Sequence, residues 1–186
     1  MTWIEPWWSR AGDGRVRLRL TPGDAAVILR LVAEVRGLLG GPADDPVMQR
    51  LFPRAYLDPT EEDAETTWRA LAGPDLLRDR LDRLDRIESA LRSIAEGEVT
   101  SVELDDQAET DWLGVINDTR LALGTALGVR DDDHDPDDDL DHRDDVEDRD
   151  DPARPARHLY QVLTYRQEEL VSLLLADLPA EGLDDF

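Results

Sequence analysis

Residues 112–128 read WLGVINDTRLALGTALG, an apolar helix with four polar residues set into its middle. Leu113, Val115 and Ile116 precede Asn117, Asp118, Thr119 and Arg120, and Leu121, Leu123 and Leu127 follow. On a helix, Leu113, Ile116, Leu123 and Leu127 carry the core side, while Asn117, Arg120, Leu121 and Gly124 fall on neighbouring faces. A half-buried arginine needs a partner, because taking its charge out of water is costly. The stretch HLYQVLTYRQEELVSLLL at 158–175 has a matching interruption, with Tyr160, Thr164, Gln167 and Glu168 set among Leu159, Val162, Leu163, Leu170 and Val171. The expectation is that Asn117 and Arg120 face Gln167 or Glu168 across two helices, a polar clamp that fixes their register. The same residues also read as a partner site.

Other elements surround this pair. RVRLRL at 15–20 alternates Arg15, Arg17 and Arg19 with Val16, Leu18 and Leu20, the period of a half-buried strand. TPGDAAVILRLVAEVRGLLGG follows as a helix, with Thr21 as cap, Pro22 at its first position and Gly40 as its stop. Residues 44–65 read as a connection with one short helix before Pro53. A helix resumes near Thr60, is expected to break at Gly73-Pro74, and continues with a stripe of Leu77, Leu81, Leu84, Ile87, Leu91 and Ile94. Acid-first pairs four apart, Asp79 with Arg83 and Asp82 with Arg86, line its other face. EVTSVEL at 98–104 reads as a second strand, and a final helix runs from about Pro155 to Leu178. The fold class expected is mainly α: a bundle of about five or six helices with a small antiparallel β element of two or three strands. One domain over 1–180 is expected, with an acidic loop at 130–152 between the last two helices and a loose tail at 179–186.

Composition narrows the function. The chain has no cysteine, which excludes disulfides, thiolate metal sites and thiol redox chemistry. No apolar run approaches ~18 residues, so no membrane association is expected and the cytoplasm is the expected location. The net charge is −23, and residues 61–128 and 129–156 each carry −10 of it. Such a surface repels phosphate backbones, so direct nucleic-acid binding is not expected without a partner.

The acidic run, fourteen acids within 131–151 together with His134 and His142, is material for a divalent-cation site. It lacks the turn glycine and spaced ligands of a calcium loop, and dense like charge favours a solvated chain. The arginines of the first strand could meet an acidic partner or serve only to keep a sheet face soluble. Trp3, Trp7 and Trp8 either pack the terminus onto the domain or anchor an interface, including a homodimer. Nucleophile elbows, phosphate loops, dinucleotide fingerprints and His-Glu-x-x-His are missing from the sequence. A non-enzymatic protein with no cofactor is therefore expected, with Trp3, Trp7, Trp8, Arg15, Arg17 and Arg19 as partner-binding candidates. A metal-binding or hydrolytic protein using the acidic run is the alternative.

Four stretches, RVRLRLTPGDAAVILRLV, LFPRAYLDP at 51–59, WLGVINDTRLALGTALG and LYQVLTYRQEELV at 159–171, resemble in order an actinobacterial domain-of-unknown-function family that includes the oxidative-stress regulator AosR. The resemblance implies a cytoplasmic transcription regulator that acts through protein contacts, including an alternative sigma factor. It also implies a connection to ClpS-linked proteolysis. Regulation by cysteine oxidation, which the family resemblance implies as well, has no cysteine to act on here.

Overall fold

The computed structural model describes residues 5–129 and 151–176. Among these, five α-helices and a three-stranded antiparallel sheet follow in the order β1 (Trp8–Arg10), β2 (Val16–Leu18), α1 (Pro22–Leu39), α2 (Pro46–Leu51), α3 (Glu62–Ala95), β3 (Val102–Glu103), α4 (Asp106–Leu127) and α5 (Arg154–Leu175). A 3-10 turn, Pro59–Glu61, leads into α3. β2 lies between β1 and β3, with Trp8 opposite Leu18 and Arg17 opposite Glu103. The alternation at 15–20 works as the pattern requires: Val16, Leu18 and Leu20 are buried, while Arg15 and Arg19 are exposed. The additional strand comes from the tryptophan-rich terminus, which returns through a tight turn at Gly14, whose φ of 89° favours glycine.

α1 starts where its cap residues place it, with the Thr21 side chain accepting from the Asp24 amide at 3.1 Å. Its face of Ala25, Ile28, Val32, Val35 and Leu39 is buried, largely against α3. The α3 stripe from Leu84 to Ile94 supplies the opposing face. α4 packs on α5 and on α3. The Trp112 ring meets the Trp8 ring edge-on at 5.5 Å, joining α4 to the sheet.

One expectation fails in the middle of α3. The helix does not break at Gly73-Pro74 but runs through them for 34 residues. Proline withholds an N–H from the Ala70 carbonyl and crowds the residue before it. Here Pro74 is exposed, so water reaches that carbonyl, and Gly73 has no Cβ to meet the ring. Tertiary burial of the second half then outweighs the local cost. Pro74→Ala is expected to stabilise the protein by about 1–3 kcal/mol, since proline is disfavoured by about 3 kcal/mol in a helix interior. Urea denaturation measures this, and a loss of stability would show that the ring is needed for packing.

The acid-first pairs of α3 also separate. Arg83 reaches Asp79 at 2.9 Å as expected, but Arg86 turns from Asp82 to Asp111 of α4. A buried carboxylate offers a stronger partner than an exposed one in the same helix. No helix among the described residues is long and apolar enough to cross a membrane.

Candidate functional site

The polar centre of α4 is met by α5, with Gln167 as an expected partner of Arg120 and Thr164 and Tyr160 as additional ones. The Arg120 Nε donates to Thr164 Oγ1 at 2.9 Å, Nη1 donates to Gln167 Oε1 at 2.6 Å, and the guanidinium lies 5.4 Å from the Tyr160 ring centre. Glu168 lines the same shallow notch of about 310 Å³ without bonding to Arg120. Asn117 is half-buried and has no hydrogen bond across to α5 among the described residues. The arginine is therefore held by neutral acceptors and a π face rather than by a carboxylate. Half-exposed, it retains part of its hydration, and an ion pair is not required. The helices close tightly beside it, since a Cβ on Gly124 would stand 3.3 Å from the Tyr160 ring.

The carboxylates that matter lie elsewhere. Asp111 is almost fully buried and accepts from Arg86 at 2.5 and 2.9 Å and from Gln107 at 2.9 Å. Burial opposes its charge, yet these hydrogen bonds and the nearby Arg86 and Arg83 hold its carboxyl below its usual value. Asp118, two turns on, shows the opposite balance. Burial pushes it up, and the charges of Arg80 and Arg83 offset only part of that. Arg80 bridges Asp118 at 3.2 Å to the Leu51 carbonyl at 2.8 Å, tying the end of α2 to α4.

α2 and the loop after it are held by a third buried carboxylate. Glu65 accepts from the amides of Ala55 and Tyr56, each at 3.0 Å, and from the Arg69 side chain. The Tyr56 amide bond leads in lowering its pKa. Asp45 caps α2 by accepting from Val47 at 2.8 Å and Met48 at 3.3 Å, and Arg69 reaches the Phe52 carbonyl at 3.5 Å. These bonds fix the end of α2 and its following loop against the first half of α3, and a cleft of about 240 Å³ lies between α2 and α3. Met48, Phe52, Trp68, Gly73, Leu76 and Leu77 form its walls, and its charged member, Arg69, is paired with Glu65. Its lining is otherwise apolar, so it can accept apolar groups. Hydrogen bonding and packing thus leave a mostly apolar cleft open on this side of the molecule.

The residues chosen from sequence do not meet at this cleft. Trp7 and Trp8 are each 3% exposed and belong to the core. This corrects their reading as an interface or dimer anchor: a ring inside the core presents no face to a partner. The Trp8 indole donates to the Arg166 carbonyl at 2.8 Å, and Arg166 lies over Trp7 while donating to the Glu5 carbonyl at 2.9 Å. Trp3 lies outside the described residues. Arg17 pairs with Glu103 at 2.8 Å and Arg15 with Asp13 at 3.7 Å, while Arg19 is exposed on the same sheet face. The acidic run at 131–150 and the tail from 177 also lie outside the described residues, and among those described no group of three acids or histidines could hold a metal ion.

The cleft was legible only in fragments. Met48 and Phe52 stand in what reads as connecting sequence, and Glu65 is one of forty-four acids. The available signal was a tryptophan on an otherwise polar helical turn, Trp68 among Thr66, Thr67 and Arg69.

The chain is 27% identical over 221 aligned positions, covering 91% of its own length and 88% of the relative, to a protein of Mycobacterium leprae (strain TN) provisionally named oxidative stress regulator AosR. No solved structure matches. Residues 5–174 match the family described as domain of unknown function DUF2017, and the chain belongs to that family.

Proposed function

We propose that this chain is a non-enzymatic regulatory protein that acts through protein contacts. The observation that carries the reading is its relation, over nine-tenths of its length, to a protein named as an oxidative stress regulator. The apolar cleft between α2 and α3 supplies a surface for such contacts, and its internally paired charges suit binding better than catalysis. An alternative sigma factor is the partner class implied by the family resemblance, and that role places the chain in the cytoplasm. With no cysteine in the sequence, any redox dependence enters through the partner rather than through a thiol of this chain.

The test is transcript profiling of the native host with and without the gene, before and after peroxide. A changed set of peroxide-responsive transcripts, restored by the intact gene, is expected. Identical profiles under both conditions would overturn the regulatory reading. The purified chain alone is expected to retard no DNA at about 0.15 M salt. A salt-sensitive shift lost on changing Arg15, Arg17 and Arg19 to alanine would replace protein contacts with direct DNA binding.

A further inference from the structure

We propose that the cleft between α2 and α3 receives the apolar edge of a basic amphipathic helix from a partner protein. This rests on the protein-contact reading above and names the partner's chemistry. Three observations carry it.

The first is size. At about 240 Å³ the cleft falls below the roughly 300–1,000 Å³ typical of pockets for drug-sized ligands. It is suited to a few side chains projecting from a surface. Met48 adds an adaptable wall, and Trp68 and Phe52 add flat ones.

The second is the closed accounting of charge inside it. Arg69 is neutralised by buried Glu65, and Arg80 beneath Phe52 is paired with Asp118. An incoming charged group would find no free counter-charge there, so the inserted groups are apolar.

The third is the charge around it. Residues 43–78, which build the cleft, hold eight acids against four arginines, within a chain of net charge −23. Arg54, Arg69 and Arg78 are each paired with a carboxylate of the same segment, Glu62, Glu65 and Asp75. The surplus of this segment is therefore acidic, including Asp44 next to the lining residue Ala43 and the exposed Glu61 and Asp63 at the start of α3. A second copy of this chain would bring −4 against −4 over the same segment and is repelled. A helix with Lys or Arg flanking its apolar edge is attracted and meets the groove with anchors at i, i+3 or i+4, and i+7.

Selection from a phage-displayed random library of peptides about 16 residues long, against the intact chain, tests this directly. Clones that also bind Leu76→Arg are discarded. Enriched sequences are expected to carry helical apolar spacing with a net positive flank. As synthetic peptides they should bind the wild type about tenfold or more tightly than Leu76→Arg, with the gap from their Lys→Glu counterparts narrowing as salt rises. Leu71→Gln, about 140° round α3 from Leu76, should leave binding unchanged. Unaltered melting of both variants establishes that the fold is intact. Absence of cleft-dependent clones, or enrichment of acidic or proline-rich extended sequences, would overturn the proposal. So would a concentration-dependent dimer, seen by sedimentation, that Leu76→Arg abolishes. Each of these leaves the regulatory reading standing, whereas unchanged transcripts with cleft-dependent basic clones would remove that reading and keep this one.

Discussion

Trp112→Ala is expected to lower the free energy of unfolding by about 3–5 kcal/mol, the usual cost of removing a large aromatic side chain from a core. The ring is 1% exposed and lies edge-on to Trp8, whose indole in turn bonds the Arg166 carbonyl of α5. One side chain thus couples α4, the sheet and α5. Small domains have only about 5–15 kcal/mol in total, so the variant should melt far below the wild type. In urea the midpoint should fall with little change in slope. A loss under about 1 kcal/mol would show that the three elements do not meet through this ring.

The two aspartates of α4 should respond oppositely to pH, although they share one helix. Asp111 has a folded pKa below its unfolded value, so the native state binds fewer protons there than the unfolded state. Its contribution is therefore full above the unfolded pKa, about 3.9, and is lost as pH falls through the folded value. Asp111→Asn is expected to cost about 1–3 kcal/mol at pH 7, the range for hydrogen bonds to charged groups. The larger figure for a stranded buried charge does not apply, because the Arg86 side chain is 47% exposed. That cost should shrink in acid. Asp118 has a raised folded pKa, so the native state holds its proton longer. Its contribution is full below the unfolded pKa and is lost as pH rises through the folded one. Asp118→Asn, neutral throughout, should therefore gain on the wild type between acid and neutral pH. Denaturation of both variants at pH 3 to 7 checks the signs, and parallel curves would remove the assignment.

Much of the fold follows from local pattern. The alternation at 15–20, the Thr21–Pro22 start of α1 and the Leu84–Ile94 stripe each specify one element and one buried face. The site was less legible. Arg120 does reach Gln167, yet Glu168 makes no bond to it and Asn117 makes none across to α5. Spacing says which residues share a face but not which rotamer or acceptor wins. Asp111, Asp118 and Glu65 are not distinguishable by composition from the other acids. Burial makes them different, and burial of a polar residue is set by what packs over it.

Taken alone, then, the sequence determined a cysteine-free, acidic, mainly helical chain and the buried faces of β2, α1 and the second half of α3, because those depend on residue type and short-range period. On α4, of the expected core side Leu113, Ile116, Leu123 and Leu127 only Ile116 is fully buried, and Trp112, Val115, Thr119 and Ala122 take the core instead. Tertiary structure alone decided that α3 passes through Pro74, that Trp7 and Trp8 are core, and that α2 stands off from α3 to leave an apolar cleft. Each of these outcomes balances a local preference against burial by residues distant in the chain, and that balance exists only once the elements are packed together.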